Sequence, residues 1–373
     1  MSNSRVDSSV EYCTQENGDI ISVPAVTLSN VGLYYNSALY SPEKTVSSMT
    51  MDEFISSLGD NKLAFQTVDD AWTSALFLTA LIANEDGGKE WLQSNEGTKC
   101  YDYTEPAFVN AVTKLTEIWK TNASSNAVGA AYADAANAFM SDQAAVICNG
   151  PWMNSEFVDS ASDNWSNGFN GADVNADYYP GNVSICDTKV FGRWTLTNGG
   201  TDEERECAEA FLAFIYSKDE LETFALTEGC QIPNLTYSDE FLSKLDEKPL
   251  VKQQAELLTS DTNIVPNVKT IMPDSVATSV FGTNLVQLVN GQITPEEFCE
   301  TLTTKAAEAG DDLAMTYLGT CYLSGYGVKR DYEQAVEWLW KAVDAGNGLA
   351  MNDLGYCYAL GLGVEQDYEQ AME

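Results

Sequence analysis

"AANAFMSDQAAVICNGPWM", residues 135–153, sets a helix, a strand and a turn end to end. "AANAFMSDQ" reads as a helix and "AAVIC" as a short buried strand. Asn149-Gly150-Pro151 then bends the chain, and Trp152 arrives where apolar bulk is hard to bury. The flanking segments continue the alternation. "DIISVP" (19–24) and "NVGLYYN" (30–36) read as strands rich in β-branched and aromatic residues. "TMDEFISSL" (50–58) is a helix opened by Thr50 and Glu53 at capping-box spacing. "TEPAFVNAVTKLTEIW" (104–119) places Phe108, Val112, Leu115 and Trp119 along one helical face. Downstream, "ECAEAFLAFIYS" aligns Cys207, Ala210, Phe211, Phe214 and Ile215 in a stripe. "SKDELETFALTEG" begins with Ser217-x-x-Glu220 and stops at Gly229. "TPEEF" joins the N-cap Thr294, the first-turn Pro295 and the box-closing Glu297. The alternation predicts an α/β domain with a mostly parallel sheet.

The end of the chain is organised differently. "AGDDLAMTYLGTCYLSGYGVKRDYEQAVEW" from Ala309 recurs as "AGNGLAMNDLGYCYALGLGVEQDYEQAME" from Ala345, an offset of 36 residues. A period in this range marks an α-solenoid, in which each helix pair buries its apolar face on the next. Ala314, Leu318 and Cys321-Tyr322 keep helical spacing, and small residues at matched positions let the two helices approach closely. This unit resembles the SEL-one-like repeat, a relative of the tetratricopeptide repeat. About two copies are present, too few to bury a core alone, so the tail is expected to lean on the preceding domain or to be cut short.

Composition removes whole classes of function. The 373 residues carry 44% hydrophobic content, enough for a sizeable core. A net charge of −37, from 56 acidic against 19 basic residues, is spread along the chain and argues against a nucleic-acid partner. Histidine is absent, which removes Ser-His and Cys-His mechanisms and the commonest metal ligand. The nine cysteines form no C-x-x-C pair, so no zinc or dithiol motif is expected. Cys148, Cys207, Cys321 and Cys357 sit in apolar patterns that favour packing. No metal and no cofactor is expected. No apolar run is long enough to span a membrane, and "MSNSRVDSSVEYC" lacks the features of a signal peptide.

Among local clusters, Asp69-Asp70 before Trp72 is the most suggestive, but an acid pair for sugar hydrolysis is defined by a separation that sequence does not show. No phosphate-binding loop is present. What stands out is tryptophan where turns belong: Trp72 after "TVDDA", Trp152 after "NGP" and Trp194 in "FGRW". An aromatic face beside amide and carboxylate groups suits a sugar, whose C–H faces stack while its hydroxyls hydrogen-bond.

The order of "NGDIISVPAVTLSNVGLYYNSALY", "TMDEF", "ANEDGGKEW", "AANAFMSDQAAVICNGPWM", "EAFLAFIYSKDELETFALTEGCQIP" and "VPNVKTIMP...LVNGQITPEEF" resembles the extracellular solute-binding proteins of ABC importers, above all the maltose-binding group. That resemblance implies an α/β, periplasmic-binding-protein-like fold over residues 1–305, with one lobe nearly complete and the other partial. An all-α repeat segment over 306–373 would follow. Hinge closure of the two lobes on a ligand is the motion that such a fold implies. The resemblance further implies a chain crossing at Thr27 to Asn30 with Ser29 and Asn30 beside the ligand, and a stacking role for Trp152. Trp72, Asp70 and Asn149 would be further contacts, and Arg193 and Trp194 would lie near the return crossover. The segment Thr278 to Phe281 lacks the indole that binds maltodextrin in the maltose-binding protein. The family's usual signal peptide and most of its first lobe would lie before Asn17.

The function so implied is non-catalytic capture of a mono- or oligosaccharide for a membrane permease, at the cell surface or outside the cell in the complete protein. Two other readings stand beside it. One is an interaction scaffold with a protein partner on the repeats, and the other is an acid-pair glycosidase.

Overall fold

The computed structural model describes residues 29–188, 201–230, 232, 235–309, 312–325 and 328–372; the strand expected over 19–24 lies outside them. The chain divides into two compact units. The first comprises Met1–Phe65, Asn122–Asn126 and Ala133–Asn267, and the second Gln66–Thr121, Ala127–Tyr132 and Val268–Glu373.

The first unit holds the sheets. Strands β1 (Gly32–Asn36), β2 (Leu63–Ala64), β3 (Val146–Asn149) and β4 (Val174–Asp177) align in the order β2-β3-β1-β4, and β5 (Val183–Ile185) pairs with β6 (Asn263–Val265). β2 runs parallel to β3 and β5 to β6, but β1 is antiparallel to both of its neighbours. The expectation of a mostly parallel sheet is therefore corrected to a mixed one. Alternating helix and strand patterns imply parallel neighbours only where consecutive strands are joined by a crossover within one sheet. β1 instead enters between two strands that come more than a hundred residues later, with Leu33 opposite Cys148 on one side and Asp177 on the other. The helix expected from "AANAFMSDQ" spans Tyr132–Phe139. Its Phe139 joins Tyr34, Ile147, Met153, Phe157, Phe169 and Val174 in one core, where Tyr34 and Phe157 meet edge to face at 5.1 Å.

Thr50 and Glu53 form the expected capping box on the helix Met51–Leu58. The helix Asp202–Ile215 also forms, behind a Thr201–Glu204 box, yet none of its residues is buried. Phe214 is 57% exposed and Cys207 is an exposed thiol. The expectation that Cys207 packs is thus overturned. Helical periodicity lines up an apolar stripe but supplies no surface to cover it.

The second unit is helical. Trp72–Ala83 is buried along its length from Thr73 to Ile82. Pro106–Asn122 buries Phe108, Val112, Leu115 and Trp119 as expected from their spacing. Phe281–Val289 follows, then Pro295–Glu308 with its Thr294–Glu297 box. The repeat helices are Asp312–Ser324, Tyr332–Asp344 and Gly348–Leu360. Gly319 lets the first two touch, since a Cβ there would stand 2.7 Å from Leu339 Cγ. The tail leans on the preceding helix: Ala307 shares a core with Ala314, Leu318 and Trp338, with Tyr101 packed against it. Cys321 and Cys357 are buried in the repeats, and burial pushes their thiols up to about 12 and about 11. Cys148 in β3 is likewise pushed up to about 12. Cys100, Cys148, Cys207, Cys299, Cys321 and Cys357 stand outside any disulfide. Among the described residues no helix is long and apolar enough to cross a membrane, and no group of three acidic or cysteine side chains is placed to hold a metal.

Candidate functional site

Each unit presents one tryptophan-bearing turn. In the first unit the turn grows from the end of β3. Asn149 is 1% exposed, accepts from the Gly150 N–H at 2.9 Å and donates to Met153 Sδ at 3.0 Å. Its side chain therefore builds the turn. Pro151 opens a 3-10 helix, Pro151–Phe157, at the position where a missing N–H costs nothing. The Trp152 indole folds back over Gly150, where a Cβ would lie 2.2 Å from its Cη2 and Cζ3 atoms, so only glycine admits the ring. The indole stays 38% exposed, which leaves apolar surface for a ligand.

Two side chains from distant elements, buried Tyr34 and half-buried Gln254, brace this turn through its own Asn154. The Tyr34 hydroxyl on β1 lies 2.7 Å from Asn154 Oδ1 and 3.0 Å from the Gly150 carbonyl. Gln254 donates to that hydroxyl at 2.8 Å and accepts from Asn154 Nδ2 at 2.8 Å, closing a ring of hydrogen bonds. Gln254 belongs to the helix Pro249–Leu257, whose Gln253 accepts from the Ala176 N–H of β4 at 3.0 Å. Ser29 and Asn30 precede β1 and are held by the Val31–Ile185 bridge. Ser29 is half-buried, while Asn30 is buried and accepts from the Ser184 hydroxyl at 3.3 Å.

In the second unit the turn is Asp69-Asp70-Ala71, and all three residues have positive φ, 50°, 69° and 55°. Such a run without glycine costs on the order of 1–2 kcal/mol per residue, somewhat less for Asp. Backbone held this way marks places where surrounding groups impose the geometry. Those groups are identifiable. Buried Gln66 donates to the carbonyls of Val68 at 3.0 Å and Asp69 at 3.3 Å, and accepts from the Thr73 N–H at 3.4 Å. Lys269 donates to the Asp70 carbonyl and sits 3.2 Å from its Oδ2. Burial lowers the Lys269 pKa, and the Asp70 carboxylate partly offsets that. Thr67 and Val68 both donate to the Ala130 carbonyl at 3.1 Å, pinning the segment that enters the turn. Trp72, half-buried, then starts the long buried helix, with Asp69 and Asp70 at its positive end.

Of the residues marked in sequence, the first unit therefore brings together Asn149 and Trp152 on one turn, with Ser29 and Asn30 beside β1, and the second brings together Asp70 and Trp72. Arg193 and Trp194 lie outside the described residues. The bracing residues Tyr34, Asn154, Gln254, Gln66 and Lys269 carry no mark in the sequence. Their partners stand from 100 to 220 positions away for the first three and 199 for Lys269, beyond any local pattern.

A family model for the bacterial extracellular solute-binding protein matches residues 4–259, and the Sel1 repeat matches residues 312–347 and 348–373. No curated protein matches the chain. Among solved structures, a chitin oligosaccharide binding protein is similar at a TM-score of 0.60 and 16% identity, over 80% of this chain and 74% of its own. A Streptococcus pneumoniae solute-binding protein in complex with the blood group A-trisaccharide is similar at 0.60 and 17% identity, over 81% and 75%. A probable secreted solute-binding lipoprotein from Streptomyces coelicolor is similar at 0.57 and 16% identity, over 79% and 73%. At these identities the likeness is one of fold.

Proposed function

The chain belongs to the bacterial extracellular solute-binding protein family, non-catalytic receptors of ABC uptake systems, and from that premise we propose that its solute is a neutral carbohydrate. One observation carries the reading: Trp152 exposes an indole that its turn is built to hold in place, and a held, open aromatic face is what a sugar ring stacks on. Trp72, with the Asp70 carboxylate two residues before it, offers the same chemistry on the second unit. Ser29 supplies a hydroxyl, while Asn30 and Asn149 serve as buried supports. The solved relatives whose names include a chitin oligosaccharide and a blood group trisaccharide support this choice of ligand class. The sugar would be handed to a membrane permease, with residues 1–305 as the receptor and 306–373 as its repeat segment.

Charge sharpens the choice. At a net charge of −37, with Asp69 and Asp70 on one of the two turns, the surface repels anions. Chitotriose, maltotriose and xylotriose are expected to include a stabilising ligand, and trigalacturonate is expected to leave the melting temperature unchanged. A ligand present at a hundred times its Kd contributes about 2.7 kcal/mol, or a rise of roughly 3–4 °C in a chain of this size. A thermal-shift series reads this directly, and a rise with trigalacturonate alone would reverse the assignment.

A second reading rests on the repeats. Leu349, Tyr356 and Leu360 share one exposed apolar side of the helix Gly348–Leu360, and Met351 is exposed on its other side, whereas Met315, the counterpart of Met351 one repeat earlier, is packed into the core. Exposed apolar surface of this kind marks interaction sites. The full chain used as bait on envelope extract would then retain a protein that the doubly substituted Met351→Asp/Tyr356→Asp chain does not. Equal recovery by both would remove the repeats from partner binding.

A further inference from the structure

The Asp69-Asp70-Ala71 turn holds a conformation that none of its own residues favours, and the groups that hold it divide the work. Gln66 takes the carbonyls of Val68 and Asp69 and the Thr73 N–H in the first turn of the helix that follows. The carbonyl of Asp70 itself goes to Lys269, which enters from a segment 199 residues later. Lys269 is 7% exposed, and the carboxylate it faces is 45% exposed. One charge is thus inside and its partner reaches outward. A lysine is a costly way to fill an interior position, because its charge must be desolvated; an apolar side chain of like volume would serve packing as well or better. What the ammonium offers and an apolar group does not is two donors directed at one residue, one on the backbone carbonyl and one on the side chain.

We propose that Lys269 is a positioning residue for ligand capture: its ammonium locks the left-handed turn and so sets the direction of the Asp70 carboxylate and the start of the helix that carries Trp72. The inference rests on the sugar-binding reading for its functional consequence, but the locked turn stands apart from that reading and is measured without a ligand.

The experiment uses the full chain with Lys269→Met, Lys269→Gln and Lys269→Arg. Amide hydrogen exchange is followed in a peptide covering 66–76 and, as an internal reference, in one covering 106–119. Lys269→Met and Lys269→Gln are expected to speed exchange in 66–76 at least tenfold with the reference unchanged, and Lys269→Arg, which keeps a charged donor, to stay within about threefold of the native chain. Affinity for chitotriose, maltotriose or xylotriose, whichever the native chain binds, should fall at least tenfold in the first two variants and recover in the third. Unchanged exchange in 66–76, an equal rise in 106–119, or loss of folding in both Met and Gln variants overturns the proposal. If the native chain binds none of the three sugars, the sugar reading fails and exchange alone decides for or against the positioning role.

Discussion

Trp152→Ala is expected to weaken sugar binding about 30- to 100-fold while moving the thermal midpoint by no more than about 2 °C. Truncating an aromatic anchor at the centre of a binding site costs about 2 kcal/mol or more, which corresponds to such a loss. The indole is 38% exposed and lies on Gly150, outside the aromatic cluster of Phe139, Phe157 and Phe169, so its removal leaves that core intact. The companion substitution Gly150→Ala keeps the indole but displaces it, because the new methyl would stand 2.2 Å from two ring carbons. Both variants should lose affinity to a similar degree if the ring's placement matters. Calorimetric titration with the sugar found in the thermal-shift series measures this. Native affinity in Trp152→Ala would take the indole out of the site, and native affinity in Gly150→Ala alone would mean that its placement is not tuned.

Local chemistry made much of the fold legible. The boxes at Thr50–Glu53 and Thr294–Glu297 and the buried face of Pro106–Asn122 depend on residues within one or two turns of each other, and the doubled helical repeat shows itself by recurrence at 36 residues. The Asn149-Gly150-Pro151-Trp152 turn was legible for the same reason, down to an indole left partly open. Strand direction was not, because β1 is flanked by β3 and β4 through pairings that no nearby residue announces. Nor was the left-handed run Asp69-Asp70-Ala71. Glycine normally flags such backbone, and here the flag is missing because Gln66 and Lys269 impose the geometry from outside. The stripe of Phe211 and Phe214 failed the other way: its pattern was correct and its burial did not follow. The turn that carries Trp152 was thus readable, and the groups that hold it in place were not.

That division bears on the Trp152 turn most of all, and Tyr34→Phe tests it at the largest expected cost in stability. The phenyl ring keeps the edge contact with Phe157 at 5.1 Å, so packing is conserved and only the hydroxyl is lost. That hydroxyl carries one proton. At 2.7 Å, Asn154 Oδ1 is the stronger acceptor than the Gly150 carbonyl at 3.0 Å, and the oxygen itself accepts from Gln254 at 2.8 Å. Its removal leaves the Asn154 and Gln254 amides bonded to each other at 2.8 Å but facing an apolar ring where a polar partner stood. Each buried polar group stripped of a partner costs about 1–3 kcal/mol, so a loss of about 2–4 kcal/mol is expected. In urea unfolding this moves the midpoint down by about 1 M at an m-value of 2–3 kcal/mol/M. The three side chains form one ring, so Asn154→Ala added to Tyr34→Phe should cost well under the sum of the two single changes. Full additivity, or a loss below about 0.5 kcal/mol for Tyr34→Phe, would show that the ring does not brace the turn. Weakened sugar binding in Tyr34→Phe, a change at a fully buried residue, would show that the brace reaches the indole.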